Sequence, residues 1–147
     1  MSDGPPTHSR HARAPFHLWV VGLLLVLWNG WGVALVIAAQ SASLPMVDPE
    51  IAAYFASQPS WLVLFADIGP IAGVAGAVAL LLQSRWAPML FVVQLGVIAL
   101  ANAYEVAAGT SLLLTSSESR VGSLVLAVMI CGQIAYARVM ARRGVLY

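Results

Sequence analysis

Acidic and amide side chains occur inside stretches of this sequence that are otherwise apolar, where a polar group needs a reason to be. Asp67 is followed closely by Gly69 and Pro70. Pro70 cannot donate the helical hydrogen bond that the carbonyl of Ala66 would accept, so a free carbonyl is expected beside a carboxylate. That arrangement suits a cation, a proton or a hydroxyl-bearing solute. A purely structural role for Asp67 remains the alternative.

A stripe of polar residues is predicted on one face of the third apolar stretch. At ~100° per residue, Gln94, Asn102 and Glu105 fall within about 80° of arc on a helix. Counting from the short connection 83–85 puts Asn102 at the depth of Asp67, and Glu105 about one turn nearer the outside. We therefore expect the stripe to face the bundle interior and to open outward. Contact with water, or with Arg120, is the alternative role for Glu105.

An aromatic and amide motif, Trp28-Asn29-Gly30-Trp31-Gly32, lies at the middle of the first apolar stretch. Trp28 and Trp31 share a helix face, and aromatic faces beside amide and carboxylate groups suit a sugar or polyol. The alternative is that the tryptophans fill space and that Asn29 only holds helices together. The candidate substrate-binding residues are Asp67, Asn102, Glu105, Asn29, Trp28 and Trp31.

The elements that must position these residues are four apolar stretches of about bilayer length, 18–39, 61–82, 86–108 and 121–140. At ~1.5 Å of rise per residue, each spans a hydrocarbon core of ~30 Å. The chain is 61% apolar and 9% charged, against ~45–50% and ~25% in soluble domains. Backbone groups in lipid must be satisfied within the segment. The sequence therefore predicts an all-α membrane protein, an antiparallel bundle of four transmembrane helices in one domain, 16–143.

Arginine placement predicts the orientation of this bundle. Six arginines precede helix one, lie between helices two and three, or lie at or beyond the inner end of helix four, and only Arg120 lies on the other side; the six are Arg10, Arg13, Arg85, Arg138, Arg142 and Arg143. By the positive-inside rule both termini are cytoplasmic. The first apolar run is longer than the ~7–15 residues of a signal-peptide core, which favours an uncleaved anchor. Arginine without lysine is typical of GC-rich bacteria, so we expect a bacterial inner-membrane protein.

The segments outside the spans have simple expected roles. Residues 1–15 are predicted to be a disordered cytoplasmic tail and 144–147 a short cytoplasmic tail. The external loop 41–60 contains Asp48-Pro49-Glu50, which predicts the start of a short interfacial helix.

Small residues at helical spacing predict where helices approach closely. They occur on helix two (Gly69, Gly73 and Gly76), helix three (Ala99, Ala103 and Ala107) and helix four (Ser123, Ala127, Cys131 and Ala135).

Several function classes lack the residues they require. All three histidines fall within the first 17 residues, there is no lysine, and Cys131 is the single cysteine. Paired intramembrane histidines for haem and a lysine for a retinal Schiff base are therefore absent, as are phosphate loops and hydrolase motifs. We expect no enzyme, no metal site and no cofactor. The net charge of +1 fits membrane orientation and not nucleic-acid binding.

Two short motifs resemble a known family. Trp28-Asn29 followed by Gly32, and Gly73-x-x-Gly76 leading into the run 80–87 with Phe91 beyond, are similar to small uncharacterised bacterial four-helix membrane proteins, some of them labelled sugar transporters. The resemblance covers helices one to three and implies a four-helix fold and a solute. Family members often have Ser-Leu where this chain has Gln94-Leu95, so no binding role is carried over to Gln94.

Two functional hypotheses from different classes follow. In the first, the chain is a permease-like protein, with the lipid bilayer as its surroundings and a homo-oligomer as an expected state, whose outward-facing polar pocket takes a neutral solute or a cation or proton. In the second, it is a non-catalytic accessory or assembly subunit of a larger membrane complex. The first needs the polar stripe to face the interior, whereas the second needs polar or small-residue faces turned toward a partner.

Overall fold

Long, predominantly apolar runs form the four long helices in the part of the chain that the structure describes. The computed structural model describes residues 14–41, 53, 56–109 and 117–147. Within them the helices are α1 Phe16–Ser41, α2 Ser60–Leu81, α3 Ala87–Ala108 and α4 Ser117–Arg142, with no strand. All four are long and apolar enough to cross a membrane, which confirms the coarse prediction of an all-helical, multi-pass membrane protein.

Proline and glycine mark helix ends where the backbone requires them. Pro59 precedes α2, and a proline occupies the first turn of α3, where its missing N–H costs nothing. Gly109 ends α3 in the left-handed conformation, at φ 71°, which glycine adopts without strain. The predicted spans differ from these helices by at most four residues, at the start of α4.

The packing order of the helices follows the chain. α2 packs against both α1 and α3, and α4 packs against α3. The core contains large apolar side chains from every helix, fully buried at Leu18, Leu80, Phe91, Ile130 and Met140. All of them except Ile130, which is at the middle of α4, lie toward the end of the bundle that holds the connection between α2 and α3.

Residues 144–147 are docked rather than free. The side chains of Val145 and Leu146 are buried against the core. The Tyr147 N–H donates to the Gln83 carbonyl at 2.8 Å, and the Arg85 N–H donates to the Tyr147 carbonyl at 3.1 Å. The segment predicted as a simple tail therefore ties the end of α4 to the connection between α2 and α3.

Two sequence predictions lie outside the described residues. The prediction of a disordered segment 1–15 does so except at Ala14 and Pro15, which are half-buried, and so does the predicted start of the interfacial helix at Asp48-Pro49-Glu50. In the same loop, the described residues Ala53, Ala56 and Ser57 are helical.

Candidate functional site

Three buried side-chain amides from three helices meet in the middle of the bundle. Asn29 on α1, Gln94 on α3 and Gln133 on α4 are each no more than 3% exposed. Gln94 Nε2 donates to Asn29 Oδ1 at 2.8 Å. Asn29 Nδ2 donates to the Leu25 carbonyl at 2.8 Å and to Gln133 Oε1 at 3.4 Å. We call these three residues the amide cluster.

α2 makes room for the amide cluster by having glycine at position 73. A Cβ atom there would collide with Asn29 Oδ1 and would lie 2.6 Å from Gln94 Nε2. One turn further along, a Cβ atom at Gly76 would lie 2.8 Å from the Phe91 ring. Both positions are buried, as the small-residue pattern of helix two predicted.

Two atoms of the amide cluster are left without a hydrogen-bond partner among the described residues. They are Gln94 Oε1, which is an acceptor, and Gln133 Nε2, which is a donor. A buried polar atom left unpaired costs about 1–3 kcal/mol, so native proteins keep few of them without a reason. An unfilled acceptor and donor in one cluster indicate a place for a polar group from outside the chain.

A groove of about 430 Å³ leads to the amide cluster. It is lined by residues of all four helices, namely Trp28, Asn29, Trp31, Gly32, Leu35, Val36, Pro70, Gln94, Ile98, Gly122 and Leu126. Because it separates parts of α1 and α4, we call it the α1–α4 groove. Its α1 residues run from Trp28 toward Ser41, and its α4 residues precede Gln133. The groove therefore extends from the amide cluster away from the end where residues 145–147 dock.

The residues that line the α1–α4 groove are uncharged and mostly apolar. An ion in so apolar a site would lose hydration without gaining a counter-charge. Trp28 and Trp31 offer ring faces, at 41% and 56% exposed, for the apolar side of a ligand. Hydrogen bonding is available where Asn29 and Gln94 line the wall.

A second groove, of about 550 Å³, lies between α3 and α4. Asn102 and Arg120 line it together with apolar and small residues such as Ala99 and Ala127. Asn102 is half-buried and donates through Nδ2 to the Ile98 carbonyl of its own helix, at 2.8 Å. Its amide is therefore partly satisfied locally.

Asp67 and Glu105 line neither groove. Asp67 is half-buried, and its Oδ1 accepts a hydrogen bond of 2.6 Å from Nε2 of Gln40, in the last turn of α1. Glu105 is half-buried near the end of α3. The structure thus brings Trp28, Asn29 and Trp31 together in one groove and puts Asn102 in another.

Sequence reasoning missed Gln133 and gave Gln94 no binding role. The available signal was the one that drew attention to Asn29, an uncharged amide in the middle of an apolar span. A carboxylate in an apolar span is a stronger signal than an amide, because its desolvation costs more.

Comparisons with known proteins add no assignment to this geometry. No family model matches the chain, and no significant match is found among curated proteins or solved structures. Membership of a bacterial four-helix family therefore stays a prediction.

Proposed function

We propose that this chain is a small permease-like membrane protein that binds a neutral, hydroxyl-bearing solute, such as a sugar or polyol, in the α1–α4 groove. The observation that carries the proposal is the amide cluster, of which Asn29 and Gln94 line the groove and in which Gln94 Oε1 and Gln133 Nε2 are unpaired. Trp28 and Trp31 would stack on the apolar faces of the solute while the amides bond its polar groups.

The proposal includes an antiparallel bundle with both termini in the cytoplasm of a bacterium and the groove open to the external side. Contacts between helix ends support it: His17 at the start of α1 is hydrogen-bonded to Tyr136 near the end of α4, at 2.7 Å, and Tyr147 bonds Gln83 after α2. Four arginines lie toward this end, Arg85, Arg138, Arg142 and Arg143. The positive-inside rule assigns such an end to the cytoplasm.

A neutral solute is favoured over a cation or proton because the carboxylates do not line the groove. Asp67 accepts a hydrogen bond from Gln40, and this bond has a structural use in joining α1 to α2. We therefore assign Asp67 and Glu105 no part in solute binding.

Solute entry into proteoliposomes tests this function. With glycerol, xylitol and glucose as probes, we expect the wild-type protein to admit at least one faster than protein-free liposomes do. Trp31→Leu should slow entry about tenfold, the effect of ~1.4 kcal/mol of lost contact. Asp67→Asn, as the matched control, should leave entry unchanged. The proposal fails if no probe enters faster, or if Asp67→Asn abolishes entry while Trp31→Leu does not affect it.

A second candidate function is assembly with other membrane subunits, and the outer face of α4 favours it. Cys131 and Ala135 are exposed there, and Ala127, one turn before Cys131, is exposed in the groove between α3 and α4, although the sequence pattern predicts close helix contact at these positions. In lipid, small residues allow two helices to approach closely. The partner in this candidate is a second copy of the chain or another membrane protein.

The single cysteine makes this second candidate testable without engineering. If α4 packs against a second copy, oxidation with copper phenanthroline in native membranes should cross-link Cys131 to Cys131. A control combining Cys131→Ala with Leu24→Cys, an exposed position on α1, should not cross-link. Equal cross-linking of both proteins would exclude this face as a self-interface, and mild solubilisation would then show whether a different subunit is retained.

A further inference from the structure

The two unpaired atoms of the amide cluster are the two ends of one hydrogen-bonded chain. Gln94 donates to Asn29, and Asn29 donates to Gln133. The donor left over, Gln133 Nε2, is at the last amide of this chain, and the acceptor left over, Gln94 Oε1, is at the first. One more group that accepts from Gln133 and donates to Gln94 would close the chain into a ring.

We infer that a hydroxyl group of the solute closes this ring, accepting from Gln133 Nε2 and donating to Gln94 Oε1. The inference rests on the proposed function and specifies the group that the site recognises. A hydroxyl donates and accepts through a single oxygen. An ether or ketone oxygen only accepts and would leave Gln94 Oε1 unpaired, and an ammonium group only donates and brings a charge into an uncharged groove.

The direction of the hydrogen bonds strengthens this selection. In the closed ring every group donates to the next in the same sense, from the hydroxyl to Gln94, Asn29, Gln133 and back to the hydroxyl. Hydrogen bonds aligned head to tail polarise one another in a low-dielectric interior. A hydroxyl therefore gains more binding free energy in this ring than it would from two separate hydrogen bonds. A group that makes only one of the two bonds leaves the ring open and gains no such extra.

The route to this position is the α1–α4 groove. Gln94 and Asn29 both line the groove, whereas Gln133 does not, so a solute approaches the ring from the Gln94 and Asn29 side. Both unpaired atoms are shielded in the structure, so the two glutamine side chains must turn to admit the hydroxyl. Gly73 of α2 lies directly against Asn29 and Gln94 and closes the opposite approach. The hydroxyl that reaches the inner limit of the groove would thus be the one that bonds the amides, and the rest of the solute would lie against Trp28 and Trp31.

Three probes of similar size test the inference on the full chain in lipid nanodiscs. Cyclohexanol carries one hydroxyl on a ring of pyranose size, cyclohexanone carries only an acceptor, and methoxycyclohexane carries an ether in place of the hydroxyl. Binding is measured as the rise in unfolding temperature with probe concentration, which reports ligand affinity for the folded state. We expect cyclohexanol to bind about tenfold more tightly than either analogue.

Variants then assign the preference to the ring. Gln133→Met should reduce the preference for cyclohexanol to less than about twofold. Asn102→Leu removes a half-buried amide in the other groove and should keep the preference. The comparison of probes on the wild-type protein stands even if Gln133→Met does not fold.

Each remaining outcome overturns a distinct statement. If the wild-type protein binds the three probes equally and Trp31→Leu binds none of them, recognition of a hydroxyl is overturned and the solute groove still stands. A preference for cyclohexanol that persists undiminished in Gln133→Met would overturn the ring. Absence of binding by all three probes, together with no solute entry into proteoliposomes, would overturn both the inference and the proposed function.

Discussion

Replacing Asn29 alone by leucine is expected to cost more stability than replacing the whole amide cluster by apolar residues. In Asn29→Leu, Gln94 Nε2 and Gln133 Oε1 lose the partner that they have in the wild-type protein. Both glutamines are 2% exposed, so water cannot replace the lost bonds without a rearrangement. Polar groups left unpaired in this way cost about 1–3 kcal/mol each. Because interhelical hydrogen bonds in membranes average only ~0.6 kcal/mol, we take the lower end of this range for each of the two groups. The expected loss in the free energy of unfolding is therefore about 2 kcal/mol.

The triple variant Asn29→Leu, Gln94→Met, Gln133→Met removes every polar atom of the amide cluster at similar volume. Replacing all partners by apolar groups of the same shape is often close to neutral. Its free energy of unfolding should therefore lie within about 1 kcal/mol of the wild-type value, above that of the single variant. It should also lose the preference for cyclohexanol over cyclohexanone and methoxycyclohexane, because no side-chain donor or acceptor of the cluster remains.

Unfolding in mixed micelles with increasing denaturing detergent gives the comparison. Asn102→Leu is the matched control, since it removes an amide of α3 that bonds only its own helix in the structure, and its effect should be small. A triple variant less stable than Asn29→Leu would show that the hydrogen bonds of the amide cluster stabilise the bundle by more than the cost of leaving polar atoms unpaired. The amide cluster would then serve mainly to hold the helices together, and its two unpaired atoms would no longer support a solute site.

The presence and length of the helices could be read from the sequence because the bilayer fixes both. A run of about 20 apolar residues has few other stable states in lipid. The inward position of Asn29 followed from the same argument, since an amide in the middle of a span avoids the acyl chains. The glycines of α2 were also identified as sites of close packing, and Gly73 and Gly76 are buried.

The partners of the polar residues could not be read from the sequence, because counting residues gives depth and not rotation about the helix axis. Asp67 and Asn102 were expected at one level, but Asp67 bonds Gln40 of α1 whereas Asn102 lines the groove beside α4. Rotation is set by which side chains interlock, here Gly73 against Asn29. That contact involves residues far apart in the chain and leaves no local pattern.

Small-residue patterns were ambiguous for a related reason. The interior of a membrane bundle and its lipid-facing surface are both apolar, so periodicity does not separate them. Gly73 is buried at the centre of the fold, while Ala127 and Cys131 are exposed on α4. A small residue marks the capacity for close approach, and only the structure shows whether the approach is made within the chain.

Gly73→Ala is expected to destabilise the protein and to abolish solute binding, although it adds one methyl group. The new Cβ atom would collide with Asn29 Oδ1 and lie 2.6 Å from Gln94 Nε2. Either α2 moves away from its neighbours or the two amides turn and lose their bond, and overpacking of this kind costs about 1–3 kcal/mol. Gly96→Ala is the matched control, because a Cβ atom there meets nothing within 4 Å and alanine favours a helix by about 1 kcal/mol.

A second substitution shows whether the collision with Asn29 causes the effect. In the Gly73→Ala background, Asn29→Ala removes the atom that the new methyl group meets, so its cost should be lower than in the wild-type background by about 1 kcal/mol or more. Unfolding of the four proteins of this cycle measures the difference. Equal costs in both backgrounds would mean that the methyl group acts by moving α2 as a whole. The contact of Gly73 with the amides would then not be what orients Gln94 to accept a hydrogen bond from a solute.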